Sequence, residues 1–212
     1  VTYSSANPTG TLAFTPAADH FGTATITVTV EDGGLDNNLE TPGDNATFIR
    51  TFTVNVAEVN DDPTLDALSD VNINEDADEQ TVNLTGIATG GSEVQQLRVT
   101  ATSDNTGLIP DPTVTYSSAD PTGTLAFTPV ADQFGTATVT VTVEDGGLDN
   151  NLATPGDNAT EVRTFTVNVA EVNDDPTLDA ISDININEDA GEQTVNLTGI
   201  ATGGSEVQQL RV

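Results

Sequence analysis

Lysine, cysteine, methionine and tryptophan are all absent from the 212 residues, and the only cationic side chains besides one histidine are four arginines. Without cysteine the chain forms neither disulfide bonds nor thiolate metal sites. Without lysine it forms no Schiff base and no amide cross-link through a lysine side chain. Stability must therefore come from a hydrophobic core, from hydrogen bonds or from a bound metal.

Positive charge is scarce, because 34 Asp and Glu residues give a formal net charge of -30. Such a chain repels phosphate backbones, which excludes nucleic acid as a partner. No stretch approaches the roughly 18 consecutive apolar residues of a membrane helix, and the first residues lack the basic and apolar regions of a secretion signal. We expect no membrane insertion by this segment, and a folded chain, since 35% of its residues are hydrophobic.

An internal repeat with a period of 113 residues dominates the sequence. Residues 1–99 match residues 114–212 at 89 of 99 positions. Phe48 corresponds to Glu161, so we expect that position to face solvent or a domain edge and not to anchor a core. The histidine, His20, corresponds to a glutamine in the other copy, which argues against a catalytic or ligand role for it.

Apolar residues alternate with Thr, Asn and Ser at period two, as in residues 23–30 and 51–56. This pattern is typical of half-buried antiparallel strands. Further segments of the kind lie near residues 71–74, 80–87, 94–103, 113–118, 124–128, 136–144 and 161–170. No segment of ten or more residues shows a helical period. About seven short strands in each repeat predict an all-β fold of tandem immunoglobulin-like sandwiches.

The acidic stretch Glu-Val-Asn-Asp-Asp-Pro at residues 58–63 and 171–176 is the predicted boundary between repeats, because its proline ends the preceding strand ladder. One complete domain is predicted at 58–170. Residues 1–57 then form the C-terminal half of a preceding copy, and 171–212 the N-terminal half of a following one. Either the chain is a window on a longer array, or half-domains of neighbouring chains complete each other. We favour the array, since an exposed half-core is hard to keep soluble.

Three short motifs resemble those of cadherin repeats. The linker Asn-Asp-Asp-Pro (60–63, 173–176), the glutamate of Ile-Asn-Glu-Asp (Glu75, Glu188) and the aspartate of Val-Glu-Asp-Gly-Gly (Asp32, Asp145) look like the cadherin linker, first-strand glutamate and sixth-strand aspartate. Residues 10–30 and 123–143 are similar to the cadherin-like tandem repeats of very large bacterial surface proteins and adhesins. The resemblance covers the whole chain and implies interdomain Ca²⁺ and an extracellular, cell-surface location.

Loop geometry agrees with the resemblance and brings candidate calcium ligands to each linker. Successive loops of a seven-stranded sandwich alternate between its two ends, so two turns of one domain meet the outgoing linker and one loop of the next domain meets the same linker from the other side. The predicted metal ligands are Glu75, Asp132, Asn173, Asp174 and Asp175 at the second linker, Asp19, Asn60, Asp61, Asp62 and Asp145 at the first, and the repeat equivalents Asp32 and Glu188. Ca²⁺ takes six to eight such oxygens at about 2.3–2.6 Å.

Two features qualify this site. The aspartate pair that cadherins carry after the second strand is replaced by Gly-Gly-Ser-Glu at residues 90–93, which implies fewer and more weakly held ions at each junction. The long acidic loop at residues 145–158 does not fit the EF-hand spacing. It is interpreted either as a solvated loop or as a separate ion site.

No catalytic constellation is evident, because no nucleophile has a persistent base beside it, and aromatic residues at 4% argue against a sugar-stacking surface. We therefore expect a non-enzymatic extender or stalk segment of a secreted cell-surface adhesin. Its partners would be the neighbouring repeats of the same chain, and interdomain Ca²⁺ would stiffen the array. The alternatives are a homophilic or polysaccharide-binding module, and a fibre-forming subunit whose half-domains complement each other between chains.

Overall fold

A computed structural model of the chain describes residues 1–5 and 7–212, and within them every regular element is a β-strand, as the sequence predicts. The strands are β1 (Gly22–Glu31), β2 (Thr47–Val56), β3 (Val71–Asn74), β4 (Gln80–Thr85), β5 (Leu97–Ser103), β6 (Thr113–Thr115), β7 (Thr122–Phe127), β8 (Gly135–Asp145) and β9 (Thr160–Ala170). In the described part of the chain, no helix is long and apolar enough to cross a membrane.

Strands β3 to β9 form two sheets that share one hydrophobic core. The four-stranded sheet has the order β3-β9-β8-β5 and the three-stranded sheet the order β4-β7-β6. Strand β3 joins β9 in parallel, and the other neighbours are antiparallel. The period-two pattern explains the packing: on β8, Val139, Val141 and Val143 are fully buried, whereas the threonines between them reach the surface. Leu84 and Leu125 close the core from the other sheet.

The hairpin of β1 and β2 repeats the hairpin of β8 and β9 in the same register, since Gly22 pairs with Val56 as Gly135 pairs with Val169. Residues 180–200 are identical or conservatively related to the β3 and β4 region, apart from Gly191 where that region has Asp78, but form no strand. The reason lies in the pairing: β3 pairs with β9 and β4 with β7, and neither partner is supplied to residues 180–200.

The position that holds Phe48 in one copy and Glu161 in the other lies near the end of its strand and outside the buried core, which agrees with the prediction that it does not anchor a core. Phe48 is 56% exposed, and the guanidinium carbon of Arg50 lies 4.0 Å from its ring centroid. Glu161 forms an ion pair with Arg163 instead. The ring of Phe48 and the carboxylate of Glu161 thus each contact the arginine two residues further along the strand, which is Arg50 in one copy and Arg163 in the other. This equivalence explains why the position accepts both side chains.

Two turns of the sandwich lie at the end where β9 leaves it. The N–H of Glu75, which follows β3, donates a 2.9 Å hydrogen bond to the carbonyl oxygen of Ala170, the last residue of β9. The N–H of Asp132, in the loop between β7 and β8, donates to Asp76 Oδ1 at 3.0 Å. The linker at residues 171–176 therefore begins beside both turns.

Candidate metal centre

Three aspartates from three separate segments converge at this end of the sandwich. Asp76 lies in the turn after β3, Asp132 in the loop before β8, and Asp174 in the linker. One carboxylate oxygen from each lies within 4.8 Å of the others. Two oxygens bound to one Ca²⁺ at about 2.3–2.6 Å are at most about 5 Å apart, so a single ion can contact all three. In residues 1–5 and 7–212 no other group of three or more His, Cys, Asp or Glu side chains has its ligand atoms this close together.

Local backbone geometry places Asp76 and Asp132. Both have a positive φ, 60° and 56°, a conformation that aspartate tolerates better than most residues. The equivalent aspartates Asp189 and Asp19 also have a positive φ, 63° and 55°. The hydrogen bond from the Asp132 N–H to Asp76 Oδ1 then ties the two turns together and fixes the spacing of their carboxylates.

The segment after the linker adds a fourth carboxylate. The N–H of Asp174 donates a 2.6 Å hydrogen bond to Glu206 Oε1, and Glu206 is only 6% exposed. Glu206 Oε2 and Asp174 Oδ2 are buried and have no hydrogen-bond partner. A methyl group at Gly204 would overlap Asp174 Oδ2 and lie 3.1 Å from Glu206 Oε2. The missing side chain at position 204 therefore makes room for both carboxylates.

Electrostatics at this cluster are unfavourable without a cation. Burial raises the pKa of Asp174, and the negative charges of Glu206, Asp132 and Asp76 raise it further. The two salt bridges in the described residues, made by Arg98 and Arg163, involve none of these carboxylates. Carboxylate oxygens crowded among like charges, with Asp174 Oδ2 and Glu206 Oε2 lacking a hydrogen-bond donor, are a set that a hard divalent cation fits.

Glu75 stands next to the cluster and fastens the start of the linker. It is 3% exposed, and its Oε1 accepts a 2.6 Å hydrogen bond from the Val172 N–H. Its Oε2 has no partner. The predicted first-strand glutamate thus holds the linker with one oxygen, while its other oxygen is buried without a partner.

The first linker repeats the hydrogen bond between the linker aspartate and the glutamate of the following segment. The Asp61 N–H donates to Glu93 Oε1 at 2.9 Å, and the Oε2 of buried Glu93 has no partner. Burial raises the pKa of Glu93, as do the charges of Asp61, Asp145 and Glu58. Ser92 Oγ donates a hydrogen bond to the carbonyl oxygen of Asp19, in the preceding segment.

Asp145 and Asn60 join the first linker to the sandwich that follows it. Asp145 is fully buried, and its Oδ1 accepts hydrogen bonds from the N–H groups of Gly147 at 2.9 Å and Ala159 at 2.8 Å. Asn60 Nδ2 lies 3.3 Å from Asp145 Oδ2, and Asn60 Oδ1 accepts from Gln95 Nε2 at 2.6 Å. This predicted aspartate therefore lies next to the predicted linker asparagine, with its charge surrounded by N–H donors.

The other linker residues contact neighbouring backbone and side chains and stay outside the cluster. Asn173 Oδ1 accepts from Gln208 Nε2 at 2.7 Å. Asp62 and Asp175 do not join the three clustered aspartates. The carbonyl oxygen of Asp175 lies 2.6 Å from where a Cβ of Gly203 would stand, and Gly203 has a φ of +100°. Only glycine allows both this backbone conformation and this close approach.

The remaining two predicted ligands, Asp32 and Glu188, also lie outside the cluster. Asp32 accepts hydrogen bonds from the N–H groups of Ala46 at 2.9 Å and Gly34 at 3.1 Å, and these bonds lower its pKa. Through these two hydrogen bonds Asp32 stabilises the loop between β1 and β2. Glu188 is exposed, in the part of the chain that forms no strand.

The long acidic loop after β8 is stabilised by hydrogen bonds to its own carboxylates. Asp157 Oδ2 accepts from the Leu148 N–H at 2.9 Å. Asp149 accepts from the Asn151 N–H at 2.9 Å and from the hydroxyl of Thr154. Its carboxylates are thus used within the loop, which favours the interpretation of a solvated loop over a separate ion site.

Sequence reasoning missed Asp76 and Glu206 as members of the site. A signal was present for both. Asp76 follows the predicted ligand Glu75 directly, and the Gly-Gly-Ser-Glu stretch occurs unchanged in both copies. That stretch supplies both the buried glutamate and the space for the linker aspartate.

No protein-family model and no curated protein matches the chain. Among solved structures, domains 4 and 5 of the S-layer protein SbsC are 20% identical over 70% of this chain and 58% of that one, with a TM-score of 0.36. Domains 4–9 of SbsC are 19% identical over 86% of this chain and 26% of that one, with a TM-score of 0.38. Cadherin domains 3–6 of protocadherin gamma B2 are 13% identical over 76% and 36%, with a TM-score of 0.42. The chain thus spans less than two thirds of each of these structures.

Proposed function

We propose that the chain is a non-enzymatic extender segment of an extracellular cell-surface protein, in which Ca²⁺ at each linker holds consecutive β-sandwich repeats in line. One observation carries this proposal. Asp76 and Asp132 belong to the sandwich of β3 to β9, Asp174 to the linker, and Glu206 to the segment that follows. A cation shared among them would bind these three parts of the chain to one another.

The charge balance supports a cation from solution as the stabilising partner. The chain has 34 acidic residues, four arginines and no lysine, so it cannot neutralise its own linkers. Like charges a few ångströms apart repel strongly, above all when partly buried. Calcium sites in extracellular modules bind at about 10⁻⁴–10⁻³ M, a range suited to one or two ions among few ligands. Such an affinity suits an extracellular setting.

The shape of the repeat suits a spacer. We take residues 58–170 as one repeat, whose longest strands, β8 and β9, have 11 residues each. At about 3.4 Å per residue, such strands extend about 37 Å. Linkers at residues 58–63 and 171–176 each follow the last strand of a hairpin, so successive repeats continue from one end of the sandwich to the next.

Calcium titration followed by small-angle scattering and calorimetry tests the proposal. With millimolar Ca²⁺ we expect a higher melting temperature and a narrower distribution of interatomic distances than in chelator, because the junction becomes rigid. Mg²⁺ at the same concentration controls for ionic strength and should produce a smaller change, since it prefers a stricter octahedral site. Identical scattering profiles and melting curves in Ca²⁺ and in chelator would refute the stalk mechanism.

A further inference from the structure

The chain contains two linkers of identical sequence, and each contacts a different end of the central sandwich formed by β3 to β9. The linker at residues 58–63 is followed by this sandwich, and the linker at residues 171–176 is preceded by it. The central sandwich therefore shows how a linker contacts the sandwich on either side of it.

The side chain of Asn60 fastens the first linker to the sandwich that follows. Its Nδ2 donates to Asp145 Oδ2 at 3.3 Å and to the carbonyl oxygen of Asp157 at 3.1 Å. Its Oδ1 accepts a 2.6 Å hydrogen bond from Gln95 Nε2. One amide thus joins the linker to the end of β8, to the long loop after β8 and to the segment before β5.

These contacts need no metal ion, because N–H donors surround the charge of Asp145. This residue is fully buried, and its Oδ1 accepts hydrogen bonds from the N–H groups of Gly147 at 2.9 Å and Ala159 at 2.8 Å. Its Oδ2 faces the Nδ2 of Asn60. Hydrogen bonds to both oxygens stabilise the ionised form of a buried carboxylate.

After Val172 the second linker turns away from the sandwich that precedes it. The Val172 N–H still donates a 2.6 Å hydrogen bond to Glu75 Oε1 of that sandwich. Asn173 Oδ1 instead accepts from Gln208 Nε2 at 2.7 Å, in the segment that follows. Within residues 1–5 and 7–212, no hydrogen bond joins residues 173–176 to the central sandwich.

On this side the linker meets negative charge in place of hydrogen-bond donors. Asp174 faces Asp76 and Asp132 of the central sandwich, with one carboxylate oxygen of each within 4.8 Å of the others. Like charges this close repel each other, so the contact is favourable only with a cation between them. A single exposed hydrogen bond, from Ser92 Oγ to the carbonyl oxygen of Asp19, crosses the first junction, and one such bond contributes little.

We propose that residues 60–63 and 173–176 are fixed by hydrogen bonds to the part of the chain that follows them, so that without Ca²⁺ the array bends immediately after Val59 and Val172. Control of this bend by Ca²⁺ rests on the proposed function, whereas the hydrogen bonds of Asn60 do not depend on it. The rigid unit of the array is then residues 60–172, and Ca²⁺ sets the angle between one unit and the next.

Spin labels on engineered cysteines test this division, since the chain has no cysteine of its own. Thr102→Cys, at an exposed position of β5, is the common anchor in the central sandwich. It is paired with Asp62→Cys in the first linker or with the equivalent Asp175→Cys in the second, both exposed and outside the aspartate cluster. Double electron–electron resonance measures the two distance distributions in Ca²⁺ and in chelator.

The 62–102 distribution should be equally narrow in both conditions, because hydrogen bonds alone hold that linker to the central sandwich. The 175–102 distribution should be narrow in Ca²⁺ and widen in chelator. Widening of the 62–102 distribution in chelator overturns the proposal. A 175–102 distribution that does not respond to Ca²⁺ overturns the calcium mechanism instead, so the two failures are distinguishable.

Asn60→Asp in the labelled chain tests the residue that makes the contact. It turns a carboxylate toward Asp145, so the 62–102 distribution should widen in chelator. Asn60→Ala, which removes the donor without adding charge, should widen it in part, and urea unfolding shows whether the central sandwich stays folded. Asn173→Asp is the matched control: its position bonds to Gln208 and not to the central sandwich, so the 175–102 distributions should stay as in the parent. Equal effects of the two aspartate substitutions, or no widening by either Asn60 variant, overturn the proposal.

Discussion

The N–H of Asp174 donates a 2.6 Å hydrogen bond to Glu206 Oε1, and 113 residues earlier the N–H of Asp61 donates the same bond to Glu93 at 2.9 Å. The contact fixes the backbone of the linker against the segment that follows. Because the carboxylate of Asp174 also lies beside Asp76 and Asp132, one residue touches both sides of the junction. The linker aspartate is therefore the residue on which coupling between repeats should depend most.

Asp174→Asn should weaken calcium binding about tenfold or more, because it removes a charge from the centre of the cluster while preserving its shape. Isothermal titration calorimetry measures the change directly. Asp120→Asn removes the same charge from an exposed position where the other copy already has Asn7, so it should leave binding as in wild type. Equal affinities for the two variants would remove Asp174 from the site.

Gly204→Ala should also weaken calcium binding, because a methyl group there overlaps Asp174 Oδ2 and must displace this carboxylate from its position beside Glu206. Melting of the central sandwich, whose core lies elsewhere, should change little. Gly191→Ala is the control, since a methyl group at position 191 meets no atom within 4 Å. Calcium affinity unchanged by Gly204→Ala would show that the Gly-Gly-Ser-Glu stretch is a loop without a role in binding.

The strands were predictable from sequence wherever a pairing partner exists. Alternation of valine and threonine located β8 and β9 to within about one or two residues, because one face of each strand is buried. The same alternation in residues 180–200 produces no strand, since a ladder also needs a neighbour and pattern alone does not supply one.

The site was partly predictable for a related reason. Alternation of loops between the two ends of a sandwich predicts Asp132 and Asp174 at one end, and their carboxylate oxygens lie within 4.8 Å of each other. It did not distinguish Glu75 from Asp76. That choice depends on the positive φ of Asp76, a local property that only the folded turn reveals.

Asp145→Asn should destabilise the central sandwich by about 2 kcal/mol. The buried carboxylate accepts hydrogen bonds from the N–H groups of Gly147 and Ala159 and faces the side-chain NH₂ of Asn60. The asparagine variant replaces one of these acceptor oxygens with an NH₂ group, so that a donor faces a donor. Urea unfolding in excess chelator measures the effect without a contribution from metal. Asp32→Asn, at the equivalent but exposed position in the first hairpin, should change this transition much less. A loss of similar size in both variants would mean that burial of Asp145 is irrelevant.

Glu144 should make the central sandwich lose stability in acid. A hydrogen bond from Asn158 Nδ2 at 3.0 Å, aided by the ion pair with Arg98, lowers the pKa of Glu144 below its ordinary value of 4.5. The unfolded chain therefore binds this proton more readily than the folded one. The stabilisation is complete above the unfolded pKa and is lost as the pH falls through the lower, folded pKa.

Glu144→Gln should accordingly flatten the fall in unfolding free energy between about pH 5 and pH 3, and Asn158→Ala should flatten it in part. Urea unfolding in chelator at a series of pH values gives the slope. Arg163→Gln, which removes the arginine that pairs with Glu161 and not with Glu144, should leave this component in place. If Glu144→Gln retains the full wild-type slope, the acid sensitivity arises at other carboxylates, and the bond from Asn158 does not favour the ionised form.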